Sequence, residues 1–308
     1  MYKSILAISE GGPDAAMSFG LAARMASMFG GTVDAVHFSE SRPHDVDIAA
    51  QAMPFLKPLS DGRLKARAAE SERAFRELIA PIDGATFTGG ENVTRDRLVT
   101  LGRFASILLI GRPGADTENI APATVKAAIY DCARPVVIAP PDSAPNSATK
   151  SISAVVVAWN GSAQAARAVR YALPFLEKAR TVTIVVAGAK PEDVGTSLLS
   201  RNLGRRGIDA TVETMDPGAV SGRGRGRALL DYAKEKKADL LVMGAYGHGG
   251  LTNFLGLGGA TAKVISVCPV PLLLAHRTIR ISSAATRRRL RRAAPAARAK
   301  TAASGFRR

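Results

Sequence analysis

Apolar and polar positions along the chain follow two alternating periods. Short apolar runs, such as Ile5-Leu6-Ala7-Ile8 and Ser106-Ile107-Leu108-Leu109-Ile110, read as strands buried on both faces. Between them apolar residues recur at helical spacing: Met17, Leu21, Met25 and Met28 form one stripe, Leu64, Ala68, Phe75 and Leu78 another. In order, the first part of the chain predicts strands at 5–8, 32–38, 86–88, 106–110 and 136–139. Helices are predicted after Pro13 up to Gly30-Gly31, along the second stripe, over 93–104 and over 123–132, with a loop through Pro43, Pro54 and Pro58. Strands that alternate with helices in this way specify a parallel sheet covered by helices.

Pro140-Pro141-Asp142-Ser143-Ala144-Pro145-Asn146-Ser147 has nothing to bury and reads as a linker, after which the plan repeats. Strands are predicted at 154–158, 181–187, 210–213, 240–243 and 272–275. Ala165, Ala166, Val169, Leu173 and Leu176 stripe one helix, and two more are predicted over 227–236 and 259–267. The halves also match locally. Ile107-Leu108-Leu109-Ile110-Gly111-Arg112-Pro113-Gly114 parallels Leu240-Leu241-Val242-Met243-Gly244-Ala245-Tyr246-Gly247, and Cys132-Ala133-Arg134-Pro135 parallels Cys268-Pro269-Val270-Pro271. The pattern is that of a duplicated domain. We expect an α/β chain of two tandem Rossmann-like domains, each a five-stranded parallel sheet flanked by helices. The expected boundaries are 1–139, a linker at 140–150, 151–276, and a tail at 277–308. The two repeats are expected to pair with each other within the chain.

In an open parallel sheet ligands bind beyond the carboxyl ends of the strands, where the strand order switches. In the second half this selects Trp159-Asn160-Gly161-Ser162 and Gly244 to Gly250, with Gly256-Leu257-Gly258-Gly259-Ala260-Thr261 opening a helix. Glycine admits close backbone approach to a phosphate, and a helix N-terminus offers unpaired N–H donors. Gly222-Arg223-Gly224-Arg225-Gly226-Arg227 fails as a dinucleotide fingerprint, because Arg227 stands where its last glycine belongs; it reads as a solvated basic loop. No Gly-x4-Gly-Lys-Ser/Thr loop occurs. His37, His44, His248 and His276 have no metal spacing, and His248 alone lies within a glycine turn. Cys132 and Cys268 each precede a last strand and read as small buried residues. No catalytic constellation follows from spacing, and no metal site is expected.

Val156-Val157-Ala158-Trp159-Asn160-Gly161-Ser162, Ala238 through His248, and Gly258-Gly259-Ala260-Thr261 through Leu273 together resemble the universal stress protein family. The resemblance extends over both halves, about 1–139 and 151–276, and is weaker in the first. It implies a stress-response module that senses or binds ATP or AMP, with magnesium accompanying ATP. The implied nucleotide site comprises Ala158, Asn160, Ala187, Gly244, Gly247, His248, Gly258, Gly259 and Thr261. The family pattern has an Asp after the first strand and a Gly-x2-Gly-x9-Gly-Ser/Thr loop, and this chain departs from it. Asn160 replaces the Asp, ten residues separate Gly247 from Gly258, and Gly259 stands where Ser or Thr is expected; Gly256 can absorb the extra residue and Thr261 can supply a hydroxyl. In the first half Ser9 is assigned to the Asp position, and Gly111-x2-Gly114 leads after nine residues to Thr124 with no glycine pair. That half is expected to have lost any phosphate loop. Two alternatives remain: a scaffold that binds partner proteins and no nucleotide, and a slow ATP hydrolase.

Composition fits an ordinary globular protein, with 46% hydrophobic and 22% charged residues in 308. No apolar run reaches the ~20 residues of a membrane span, so an integral membrane protein is not expected. A cytoplasmic protein is expected from the lack of a signal-peptide pattern and the two cysteines. The net charge of +16 points to nucleic acid until it is divided along the chain. Eleven of the Lys and Arg residues, and no Asp or Glu, lie in 277–308. This basic tail is expected to be disordered, with non-specific contact to nucleic acid or anionic surfaces as its alternative. A homo-oligomer and an unidentified protein partner complete the expectations.

Overall fold

The apolar runs all enter one sheet. In the computed structural model residues 2–38, 61–89, 93–113, 120–141, 152–217, 221–245 and 260–276 are described. The first half contributes β1 (Ser4–Ser9), α1 (Pro13–Phe29), β2 (Thr32–His37), α2 (Asp61–Leu78), β3 (Thr86–Thr88), α3 (Arg95–Phe104), β4 (Ile107–Gly111), α4 (Pro122–Lys126) and β5 (Val136–Ala139). A π-helical turn, Ala127–Asp131, continues α4. The second half contributes β6 (Ala154–Trp159), α5 (Ala163–Leu176), β7 (Thr181–Ala187), α6 (Thr196–Gly204), β8 (Ala210–Met215), α7 (Gly222–Glu235), β9 (Leu240–Gly244), α8 (Ala260–Val267) and β10 (Leu272–Ala275).

The sheet order is β3-β2-β1-β4-β5-β10-β9-β6-β7-β8. Neighbours run parallel within each half. Only β5 and β10 meet antiparallel, with Val137 opposite Leu273. The last strands of the two repeats thus complete each other's ladder. Strand alternation then sorts the core into two layers. Ile5 and Ala7 face the layer that holds α1 and α5, whereas Leu6 and Ile8 face the layer of α3, α4, α7 and α8. Both layers draw residues from both halves. In the first, the rings of Tyr2, Phe29 and Phe175 lie 5.0–5.5 Å apart, and the Tyr2 hydroxyl donates to the Tyr171 carbonyl. Burial pushes the Tyr2 phenol well above its ordinary value.

Two elements depart from the pattern. Helix α6 is absent from the sequence reading because its apolar residues make a thin stripe, and Leu198 stays 63% exposed. Helix α7 begins at Gly222, within the stretch read as a basic loop. Alternating Gly and Arg has low helix propensity, but the Ser221 hydroxyl accepts from Gly224 N at 3.1 Å and caps the helix. The chain divides into Met1–Arg277 and Thr278–Arg308. Among the described residues no helix is long and apolar enough to cross a membrane.

Candidate functional site

β6 and β9 lie side by side with β6 also paired to β7, so the strand order switches beside β6, the position at which open parallel sheets bind ligands past the carboxyl ends of their strands. Here Asn160 Oδ1 accepts from Ser162 N at 3.1 Å, which folds the side chain onto its own turn. The Ser162 hydroxyl accepts from Ala165 N at 3.2 Å and caps α5. Trp159 Nε1 donates to the Val194 carbonyl at 2.7 Å, fixing the indole against the 3-10 turn Glu192–Val194. Ala158 is half-buried at the end of β6, and Ala187 is exposed at the end of β7. Thr261 lies half-buried in the first turn of α8. Gly247, His248, Gly258 and Gly259 lie outside the described residues, as do Gly114 and Gly256.

Gly244 has a packing role that the sequence did not reveal. A Cβ on it would stand 2.6 Å from Ala165 N and 2.7 Å from Gln164 C, so the first turn of α5 already excludes a side chain. Beyond it, Ala245 N donates to the Ala275 carbonyl, and His276 Nδ1 bonds the Ala245 carbonyl at 2.9 Å. Burial lowers the His276 pKa, and its ring meets Tyr130 edge-on at 4.4 Å.

The equivalent place in the first half is filled by the protein itself. Strand register aligns Ile8, opposite Ile110, with Ala158, opposite Met243. The residue that matches Asn160 is therefore Glu10, not Ser9. Ser9 is the last strand residue, fully buried, where its hydroxyl accepts from Gly11 N and bonds Ser71 Oγ at 3.0 Å. The Glu10 carboxylate accepts from Ala121 N at 3.0 Å and from the Thr124 hydroxyl, at the N-terminus of α4. Glu70 Oε2 accepts from Gly12 N at 2.7 Å, at the N-terminus of α1. Helix N-termini attract anions, and both of these already hold one. Arg67 closes the crevice from α2, donating from Nε to the Glu10 carbonyl at 2.8 Å. The composition of the turn carried a signal for this: an acid directly after the first strand, where the other half has an amide.

Other reactive groups among the described residues are inward-facing. His37 Nδ1 bonds Ser71 Oγ at 2.9 Å, and burial, reinforced by Arg67, holds its pKa down at about 4. Burial raises the thiols of Cys132 to about 12 and Cys268 to about 11, so both are protonated at neutral pH. No group of three His, Cys, Asp or Glu able to hold a metal occurs among the described residues. The glycines of the Gly-Arg run serve packing as well: a Cβ on Gly226 would stand 2.8 Å from the Ala260 carbonyl, so its absence lets α7 and α8 meet closely.

Comparison with known proteins agrees with the fold. Residues 219–276 match the model of the universal stress protein family. A search of curated proteins finds no significant match. Among solved structures, a universal stress protein from Archaeoglobus fulgidus is 19% identical, covers 89% of this chain and 98% of its own, and superposes with a TM-score of 0.59. A putative universal stress protein from Pseudomonas aeruginosa is 12% identical, covers 89% of this chain and 93% of its own, and gives 0.50. A universal stress protein in complex with cAMP is 24% identical over 41% of this chain and 99% of its own, with a TM-score of 0.32. The family model thus matches within the second half, and the fold over both halves is that of solved universal stress proteins.

Proposed function

We propose that the protein is a stress-response module that binds one adenine nucleotide per chain, ATP or AMP, at the carboxyl ends of β6 and β9, and does not turn it over. The observation that carries this is the contrast between Glu10 and Asn160 at matched positions. In the first half a carboxylate and Arg67 take the space and the helix N-terminus that a phosphate would use. In the second half the matched side chain is neutral and folded onto its own turn. Asn160 would lie near the base or ribose, and Gly247, Gly258 and Gly259 would form the phosphate cradle, with His248 and Thr261 as donors. Gly244 shapes the crevice through its contact with α5. Magnesium would arrive with ATP and be held by its phosphates, since Asn160 offers an oxygen without charge.

Trp159, the single tryptophan, stands beside Asn160 and makes a direct test possible. Titration with ATP should change its fluorescence saturably. Gly247→Val should abolish the change and Gly114→Val should leave it intact. Asn160→Asp should strengthen binding in magnesium. Absence of any saturable change would favour the nucleotide-free scaffold, and loss on Gly114→Val alone would place the site in the wrong half.

A further inference from the structure

A groove of about 570 Å³ runs between α7 and α8 on the face opposite α5. Among the described residues its rim carries Arg227, Lys234, Lys237 and Lys263 against one acid, Asp231. Its floor is apolar: Leu230, Val267, Pro269 and Val270. Among the described residues Val267 is one of three large hydrophobic residues left well exposed, at 39%. Lys237 sits at a φ of +50°, a conformation that disfavours side chains by roughly 1–2 kcal/mol, at a helix end where glycine is the usual residue.

The repeat supplies an internal comparison. The corresponding place in the first half lies between α3 and the π-helical turn, whose last residue, Asp131, directly precedes Cys132 as Val267 precedes Cys268. There the charges are satisfied within the chain. Asp131 pairs with Arg95 at 2.7 Å, Arg103 Nε donates to the Asp131 carbonyl, and Arg134 donates to the Arg103 carbonyl. In the second half a valine replaces that aspartate. None of the four rim cations forms an ion pair with another described residue.

We infer that this groove docks an acidic segment of a partner protein, its carboxylates meeting the rim cations and an apolar side chain resting on Val267 and Leu230. Charge complementarity selects that occupant. The chain's own tail, with eleven cations and no acid, has the same sign of charge as the rim and does not complement it. A free phosphate would leave the apolar floor unused. Nucleic acid would find no aromatic ring in the groove on which to stack a base. The inference is independent of nucleotide binding.

The test uses the full chain and a short fluorescein-labelled peptide that alternates glutamate and leucine. Anisotropy should report saturable binding that weakens as salt rises. Val267→Asp, which installs the acid of the first half, should weaken binding by about tenfold or more, and Lys234→Glu with Lys263→Glu should do the same. Both variants should melt as the wild type does. A peptide with serine for leucine keeps its charge but should bind more weakly. Carbodiimide coupling followed by peptide mapping should place the crosslinks on Lys234, Lys237 and Lys263. Crosslinks on Lys300 and scattered lysines, with binding unchanged by Val267→Asp, would overturn the proposal. So would a single-stranded RNA probe that binds in preference to the peptide and is lost in the same variants.

Discussion

At the scale of single residues, the halves differ at one matched position, Glu10 in the first and Asn160 in the second. Glu10 binds an N–H and a hydroxyl at the start of α4, where a ligand phosphate would otherwise be drawn. Charge-assisted hydrogen bonds of this kind are worth about 1.5–3 kcal/mol, so Glu10→Gln should lower stability by roughly that amount in urea titration. An unchanged midpoint would show that the carboxylate is not held. His37 gives a second residue-scale prediction. Its folded pKa, about 4, lies below its ordinary 6.5, so the unfolded chain takes up the proton first as pH falls. The stability it protects is therefore intact above pH 6.5 and is lost progressively towards pH 4. His37→Gln should flatten the pH dependence of the melting temperature across that window; an unaltered slope would contradict the burial of a neutral imidazole. The turn after β1 shows how far single residues could be read beforehand. Its glycines and its place were legible, but Ser9 was matched to Asn160 because only strand register fixes the end of β1.

At the scale of elements, strongly periodic segments were readable and weakly periodic ones were not. The stripes of α1 and α5 and the apolar runs of β4 and β9 specify themselves, since burial on both faces leaves a strand no polar alternative. Helix α7 was shortened in the sequence reading because its first two turns are glycine and arginine, and what makes them helical lies outside them: the Ser221 cap and the contact with α8. Gly244, a candidate for phosphate approach, and Gly226, in the run read as a basic loop, both prove to be places that a neighbouring helix already occupies. A methyl group at either should therefore destabilise the protein without any nucleotide present. Gly244→Ala and Gly226→Ala should each cost about 1–3 kcal/mol, whereas Gly62→Ala, with open space around it, should be neutral or mildly stabilising. Equal melting temperatures for all three would mean that the close approaches do not exist.

At the scale of the molecule, the repeats share a sheet and both core layers, so neither half is complete alone. The β5–β10 ladder and the Tyr2–Phe29–Phe175 cluster cross between them. Unfolding should accordingly be a single transition. Trp159 fluorescence, which reports the second half, should coincide with far-ultraviolet circular dichroism, which reports both. Phe175→Ala, which empties the shared cluster, should cost about 3–5 kcal/mol and shift both signals together. Two separate transitions would show that the halves fold independently. A chain ended after Arg277 should keep its melting temperature within a few degrees, because the segment removed is rich in arginine and alanine and poor in large apolar side chains.

The asymmetry between the halves is tested most directly by the stoichiometry of ATP binding, measured by isothermal titration calorimetry on the full chain with magnesium. One equivalent per chain, retained in Glu10→Gln and lost in Gly247→Val, is the predicted result. Two equivalents in the wild type, or none at all, would contradict the proposed single nucleotide site at the carboxyl ends of β6 and β9.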